Sequence, residues 1–157
     1  MTISPIGTGG EGFKIVGSAN PDRVNRLVNL KQRYRNGEID DRAFIKECLK
    51  ILDDTKENPN DIVGLRLNEN GSFNIVAIGR NEDGRMTSMS SGLFSLTEEI
   101  EKCFDNLYIN ASLFLESRPN EIILLRYGRQ YDLIYVSTFD MEHTTLTAGY
   151  SAPILND

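Results

Sequence analysis

The chain has 157 residues, 39% of them apolar and 25% charged, with a formal net charge of -6. That length fits one domain of roughly 100–150 residues with appendages, in a globular composition slightly short of apolar mass. The acidic balance argues against nucleic acid and against an anionic membrane surface as partners, since both attract basic proteins.

No apolar run approaches the ~20 residues of a spanning helix. Met1 to Gly12 lacks the basic and apolar regions of a secretory leader, and neither end carries a lipidation motif. A cytoplasmic protein without membrane insertion is expected. Residues 1–19 are rich in Gly and Ser without a hydrophobic period, and they read as a flexible arm. The stretch Gly7 to Lys14 superficially resembles a phosphate loop, but no Gly-Lys-Ser/Thr closes it and no strand precedes it.

Asn20-Pro21-Asp22 starts a helix: Asn caps, Pro suits the first helical position and Asp complements the dipole. Val24, Leu27, Val28, Leu30 and Tyr34 give it an apolar stripe, and Asn36-Gly37 stops it. Asp40 or Asp41 caps a second helix whose apolar face is Phe44, Ile45, Cys48, Leu49, Ile51 and Leu52, running out near Lys56. The period then changes to that of strands. Ile62 to Leu67 and Ser72 to Gly79 are joined by Asn70-Gly71, and Asn81 to Gly84 turns into a third strand from Arg85 to Ser90. Ser95-Leu96-Thr97-Glu98 has the form of a capping box. The helix it opens is expected to run for roughly 20 residues to near Glu116, with Ile100, Phe104, Leu107, Ala111 and Phe114 or Leu115 along one face. Glu121 to Tyr127 and Tyr131 to Phe139 read as strands meeting at a tight two-residue turn, Gly128-Arg129. A last strand spans about Thr144 to Ser151, and the tail from Pro153 is expected to fray.

This order predicts an α+β fold: an antiparallel sheet of five or six strands with a long helix on one face, preceded by two N-terminal helices. The organisation is an arm (1–19), a helical hairpin (20–57) and an α+β domain (58–157). The strand from Tyr131 is apolar on both faces, with Tyr131, Leu133 and Tyr135 on one and Ile134 and Val136 on the other. Its second face needs a cover, which the N-terminal helices or a second subunit could supply.

Catalytic constellations are sparse. His143, the single histidine, sits among residues of a strand connection without triad or metal partners. Cys48 and Cys103 lie in helical patterns as small buried thiols; a nucleophilic Cys103 would need access and a lowered pKa. The acid pairs Asp40-Asp41 and Glu98-Glu99 suit helix starts. Asp53-Asp54 falls at a helix end, where acid is unfavourable, and local propensity does not account for it. No enzyme activity, cofactor or metal is expected.

Ile75-Val76-Ala77-Ile78-Gly79, the Asp83-Gly84 turn, Met86 to Gly92, the helix from Leu96 to Phe114, Glu121 to Leu125 and Tyr131 to Val136 follow one another in an order that resembles the roadblock, or dynein light-chain-like, family. Longin domains and profilins share related layouts. The strand Ile62 to Leu67 is one more than the family plan requires before the long helix, and no helix follows Ser151. Leu27 to Lys31 with Tyr34 to Phe44 resembles the SHOCT helical hairpin, an oligomerisation or docking element; an ordinary helix–Gly–helix connection has the same spacing. The roadblock resemblance implies a noncatalytic scaffold, a homodimer or heterodimer, that binds a small GTPase and modulates or localises it. The partner-binding residues it suggests are Glu98, Glu101, Lys102 and Asp105, on the face of the long helix opposite its apolar stripe. The rival readings are a small-molecule-sensing or enzymatic α+β domain and a profilin-like cytoskeletal binder.

Overall fold

The computed structural model describes residues 20–140 and 150–155. The arm 1–19, His143 and residues 144–149 of the expected last strand lie outside these residues.

The first helix, α1 (Pro21–Arg35), begins where the sequence indicates. The Asn20 side chain accepts a hydrogen bond from the Arg23 backbone N–H at 3.0 Å. Gly37, at φ +75, lets the chain reverse after it. The second helix, α2 (Asp41–Asp54), is capped by Asp40, whose side chain accepts from the Ala43 N–H at 2.8 Å. All six residues expected on its apolar face are buried. On α1 only part of the expected stripe is inside: Leu27 and Leu30 are buried, but Val24 and Val28 are 38% and 51% exposed. The reason is that α1 packs chiefly on α2, so a narrow seam suffices.

Six strands follow: β1 (Ile62–Leu67), β2 (Phe73–Arg80), β3 (Met86–Leu93), β4 (Glu121–Gly128), β5 (Leu133–Asp140) and β6 (Tyr150–Leu155). They form one antiparallel sheet in the order β3-β2-β1-β4-β5-β6. Two meanders therefore run outward from a central β1–β4 pair, and the supernumerary strand Ile62–Leu67 is the one that joins them. The β1–β2 and β2–β3 turns share one construction. Gly71 and Gly84, at φ +88 and +82, donate their N–H groups to Asn68 O and Asn81 O at 3.0 Å each. The β4–β5 connection differs from the expected two-residue turn. Gly128 belongs to β4, the reversal takes residues 129–132, and the left-handed residue is Asp132, at φ 54. Gly128 is needed for another reason, since a Cβ there would collide with the Tyr135 ring. At the far edge β6 continues past Pro153, which pairs opposite Tyr135, to Leu155; an outermost strand tolerates a residue without an N–H.

The expected long helix is two helices, α3 (Thr97–Asn106) and α4 (Ser112–Leu115). Leu96 stands at the N-cap of α3 without a side-chain hydrogen bond, so the capping box does not form. The Thr97 hydroxyl instead donates to Phe94 O at 3.2 Å and accepts from the Phe73 N–H at 3.3 Å, tying the helix start to β2. At its other end Tyr108 takes φ 58, Ile109 N–H reaches back to Phe104 O at 2.9 Å and Tyr108 N–H to Asp105 O at 3.3 Å. This is a Schellman stop with tyrosine in glycine's place. An unbroken helix would carry Phe114 about 15 Å along the axis from Phe104. The break returns it to the core, with the two ring centroids 5.7 Å apart.

One face of the sheet, including Val63, Leu65, Ile75, Leu125, Ile134 and Val136, shares a continuous core with α1, α2, α3 and α4. On the other face Val76, Ile78, Ile122, Leu124 and Phe139 form a second buried cluster, to which none of the described helices contributes. Of the two covers considered for the second face of β5, the N-terminal helices are on the opposite side.

Phe104 lies between Phe73 and Phe114, its ring centroid 5.4 Å and 5.7 Å from theirs, and is 5% exposed. Phe104→Ala is expected to lower the unfolding free energy by about 3–5 kcal/mol. Urea denaturation checks this; a loss below about 1 kcal/mol would mean that the α3 stripe is not part of the core.

Candidate interaction surface

The meander β1–β2–β3 ends in a strand that pairs only with β2 among the described residues. Its sequence, Met86-Thr87-Ser88-Met89-Ser90-Ser91-Gly92-Leu93, has no charge and no proline. Of these residues only Gly92 is buried, while Met89 is 46% and Leu93 74% exposed. An outer strand of this kind normally carries lysine, proline or a bulge that prevents another strand from adding to it. Here the single register shift faces its beginning, between Gly79 and Arg80, and leaves Ser88 to Leu93 in regular pairing.

The chain leaves β3 directly into α3. Glu98, Glu101, Lys102 and Asp105 all lie on the exposed face of α3, as the sequence period indicates. The Lys102 amine sits 5.9 Å above the Tyr34 ring. The remaining acid of this helix has a different role: Glu99 is buried and accepts from Arg35 at 2.9 Å, joining the end of α1 to the start of α3.

Beneath that face Cys103, Tyr34 and Asp41 form a hydrogen-bonded chain. The Tyr34 hydroxyl donates to Asp41 Oδ1 at 2.5 Å, and the Cys103 thiol lies 3.4 Å from the hydroxyl. Burial, partly offset by the Tyr34 hydrogen bond, pushes the thiol up to about 12. At neutral pH it is a thiol rather than the thiolate that nucleophilic chemistry needs.

A second polar cluster lies at the other end of α2 and resolves the Asp53-Asp54 pair. Arg129, on the β4–β5 turn, donates to Asp53 Oδ2 at 2.9 Å and to Asp54 Oδ1 at 2.6 Å. Lys56 takes Asp53 Oδ1 at 2.9 Å, and Arg26 of α1 takes Asp54 Oδ2 at 3.2 Å. Alongside, the buried Arg23 guanidinium donates to Thr55 Oγ1 at 2.7 Å and to the Leu52 and Thr55 carbonyls, at 3.4 and 3.2 Å. A cation at the carbonyl end of α2 both satisfies open acceptors and complements the dipole. Sequence reasoning missed Arg23 and Arg129, because their partners are fixed only by how α1 and the β4–β5 turn meet α2. The one available signal was the misplaced acid pair itself, which needed cations from elsewhere. Among the described residues no group of His, Cys, Asp and Glu could hold a metal ion, and no helix is long and apolar enough to cross a membrane.

No family model matches the chain, and neither does any curated protein or solved structure.

Burial pushes the Asp53 carboxyl up, but hydrogen bonds and charges from Lys56 and Arg129 outweigh it and hold the group below its ordinary value. A depressed folded-state pKa contributes stability above the unfolded value, about 3.9, and loses it as pH falls through the folded one. Asp53→Asn is therefore expected to be less stable than the wild-type chain at neutral pH, with the gap closing on acidification below about pH 4. Denaturant titrations across that range measure the gap; a constant difference would show that the carboxylate charge is not what holds the cluster.

Proposed function

We propose that this protein is a noncatalytic scaffold that dimerises by strand addition at β3 and presents the adjoining α3 face to a small GTPase, which it modulates or localises. The observation that carries the dimer is the uncharged, proline-free outer strand. Its backbone groups facing away from β2, unpaired among the described residues, fit a second antiparallel copy, and Met89 and Leu93 gain cover in the pair. The GTPase as partner comes from the roadblock resemblance. The α3 face adds a physical element to it. Glu98, Glu101 and Asp105 against Lys102 leave an acidic rim, suited to steering a basic partner surface.

Sedimentation at micromolar concentration is expected to give about twice the 17.7 kDa chain mass. Replacing Met89 and Ser91 with Lys places like charges in the paired edge, and is expected to weaken the dimer at least about tenfold, or 1.4 kcal/mol, without unfolding the monomer. A wild-type chain that stays monomeric at high concentration, or a variant as dimeric as the wild type, would overturn strand addition.

Reversing Glu101 and Asp105 to Lys is expected to slow association with a nucleotide-loaded small GTPase, less so as salt is raised. Stopped-flow or surface-binding rates check this. Association indifferent to both changes would remove the α3 face as the docking surface.

A further inference from the structure

At the end of the sheet where β1 begins and β2 and β4 finish, an open cavity of about 250 Å³ lies against the α2 terminus. Its charged lining is Lys56, Arg80, Arg126 and Arg129 against Asp53 and Asp61, four positive against two negative, or +2 in a chain whose net charge is -6. Not all of that charge is equally available. Asp53 is already shared, one oxygen held by Lys56 and the other by Arg129. Arg129 is further held by Asp54.

Arg80 and Arg126 are different. Arg126 is half-buried; its Nε donates to Ser137 Oγ at 2.7 Å, and its guanidinium carbon is 5.7 Å from the Tyr135 ring centroid. Its two terminal nitrogens have no acceptor among the described residues. Arg80 donates its Nε to Asn60 O at 2.6 Å and likewise forms no ion pair with a described carboxylate. Burial lowers the pKa of Arg126 and the like charge of Arg80 lowers it further, and together they outweigh the opposing charges of Tyr135 and Asp53. Arg23, by contrast, reaches carbonyls and a hydroxyl, and Arg35 reaches a buried glutamate. Two guanidinium groups that repel each other across a cavity, with terminal N–H groups to spare, are short of an anion.

We infer that this cavity is a binding site for a dianionic phosphate group, gripped by Arg80 and Arg126. Guanidinium forks match phosphate oxygens geometrically, and the net charge of the lining, +2 with Asp61 counted, suits a phosphate near -1.5 to -2 at neutral pH better than a single carboxylate. The cavity is open to solvent, so either free phosphate or the phosphoryl end of a small monoester can enter. The inference is independent of the scaffold reading, since it uses neither β3 nor the exposed face of α3.

The test is calorimetric titration with inorganic phosphate and, separately, with glycerol phosphate, each against chloride at matched ionic strength. Saturable binding by the wild-type chain, weakened at least tenfold in Arg80→Gln, is the expected result; Arg126→Met should act in the same direction. Arg80 serves as the main variant because its position near the rim makes loss of folding a lesser concern, and circular dichroism checks both variants. Binding of both ligands identifies the phosphoryl group as what is recognised, and binding of inorganic phosphate alone identifies free phosphate as the ligand. No saturable binding of either, or wild-type affinity in Arg80→Gln, would overturn the site.

Discussion

The pairing of β1 with β4 is what makes one sheet out of two meanders. Every other strand pair joins neighbours in the chain, whereas this one brings Gly64 opposite Arg126 and Leu65 opposite Leu125 across the whole α3–α4 region. Only these two positions are in register, so the backbone ladder is short, and distant strands meet at a cost in loop-closure entropy. What compensates is α2, which lies over β1, β4 and β5 together and buries Phe44, Ile45, Leu49 and Leu52 against both halves. Gly64 lets the strands approach, since a Cβ there would stand 2.6 Å from Leu125 O. The helical hairpin is thus part of the same core as the sheet, and Arg23 and Arg129 hold the end of α2 over the seam.

The elements legible in the sequence were those specified by their own residues. Asn20-Pro21-Asp22 and Asp40 cap where propensity says they should, and the reversals fall at Asn70-Gly71 and Asp83-Gly84, where the glycines alone supply the positive φ. The α2 stripe is buried entire because α2 is central, and the fold class follows from the element order. The failures have a common cause in tertiary contact. Asn110, whose side chain accepts from the Ser112 N–H at 3.0 Å, is the one local sign of a break after Tyr108-Ile109, and the break also returns Phe114 to Phe104. Val24 and Val28 keep the helical period but lie outside the seam that α1 makes with α2 and stay exposed among the described residues. The polar clusters were the least legible, because Asp53, Asp54 and Arg129 come together only when the β4–β5 turn is placed.

The same distinction applies to the two candidate sites. The charged face of α3 can be read from helical period alone, and the structure leaves those four side chains exposed. The exposed edge of β3 and the paired arginines could not be read, since an edge is defined by sheet order and Arg80 and Arg126 belong to different meanders. The arginine cavity therefore exists only if the β1–β4 seam forms, and any ligand that occupies it favours the assembled sheet by mass action.

Tyr108 has a consequence beyond ending α3. It is a bulky L-residue at φ 58 and 93% exposed, so it gains little from burial while holding a backbone conformation that costs roughly 1–2 kcal/mol. Against a typical domain stability of about 5–15 kcal/mol, that is an appreciable handicap carried by one surface residue. A glycine would hold the same turn without the steric cost. Tyr108→Gly would therefore relieve the strain at one exposed position, offset in part by the roughly 0.4–1 kcal/mol that glycine's greater freedom in the unfolded chain costs.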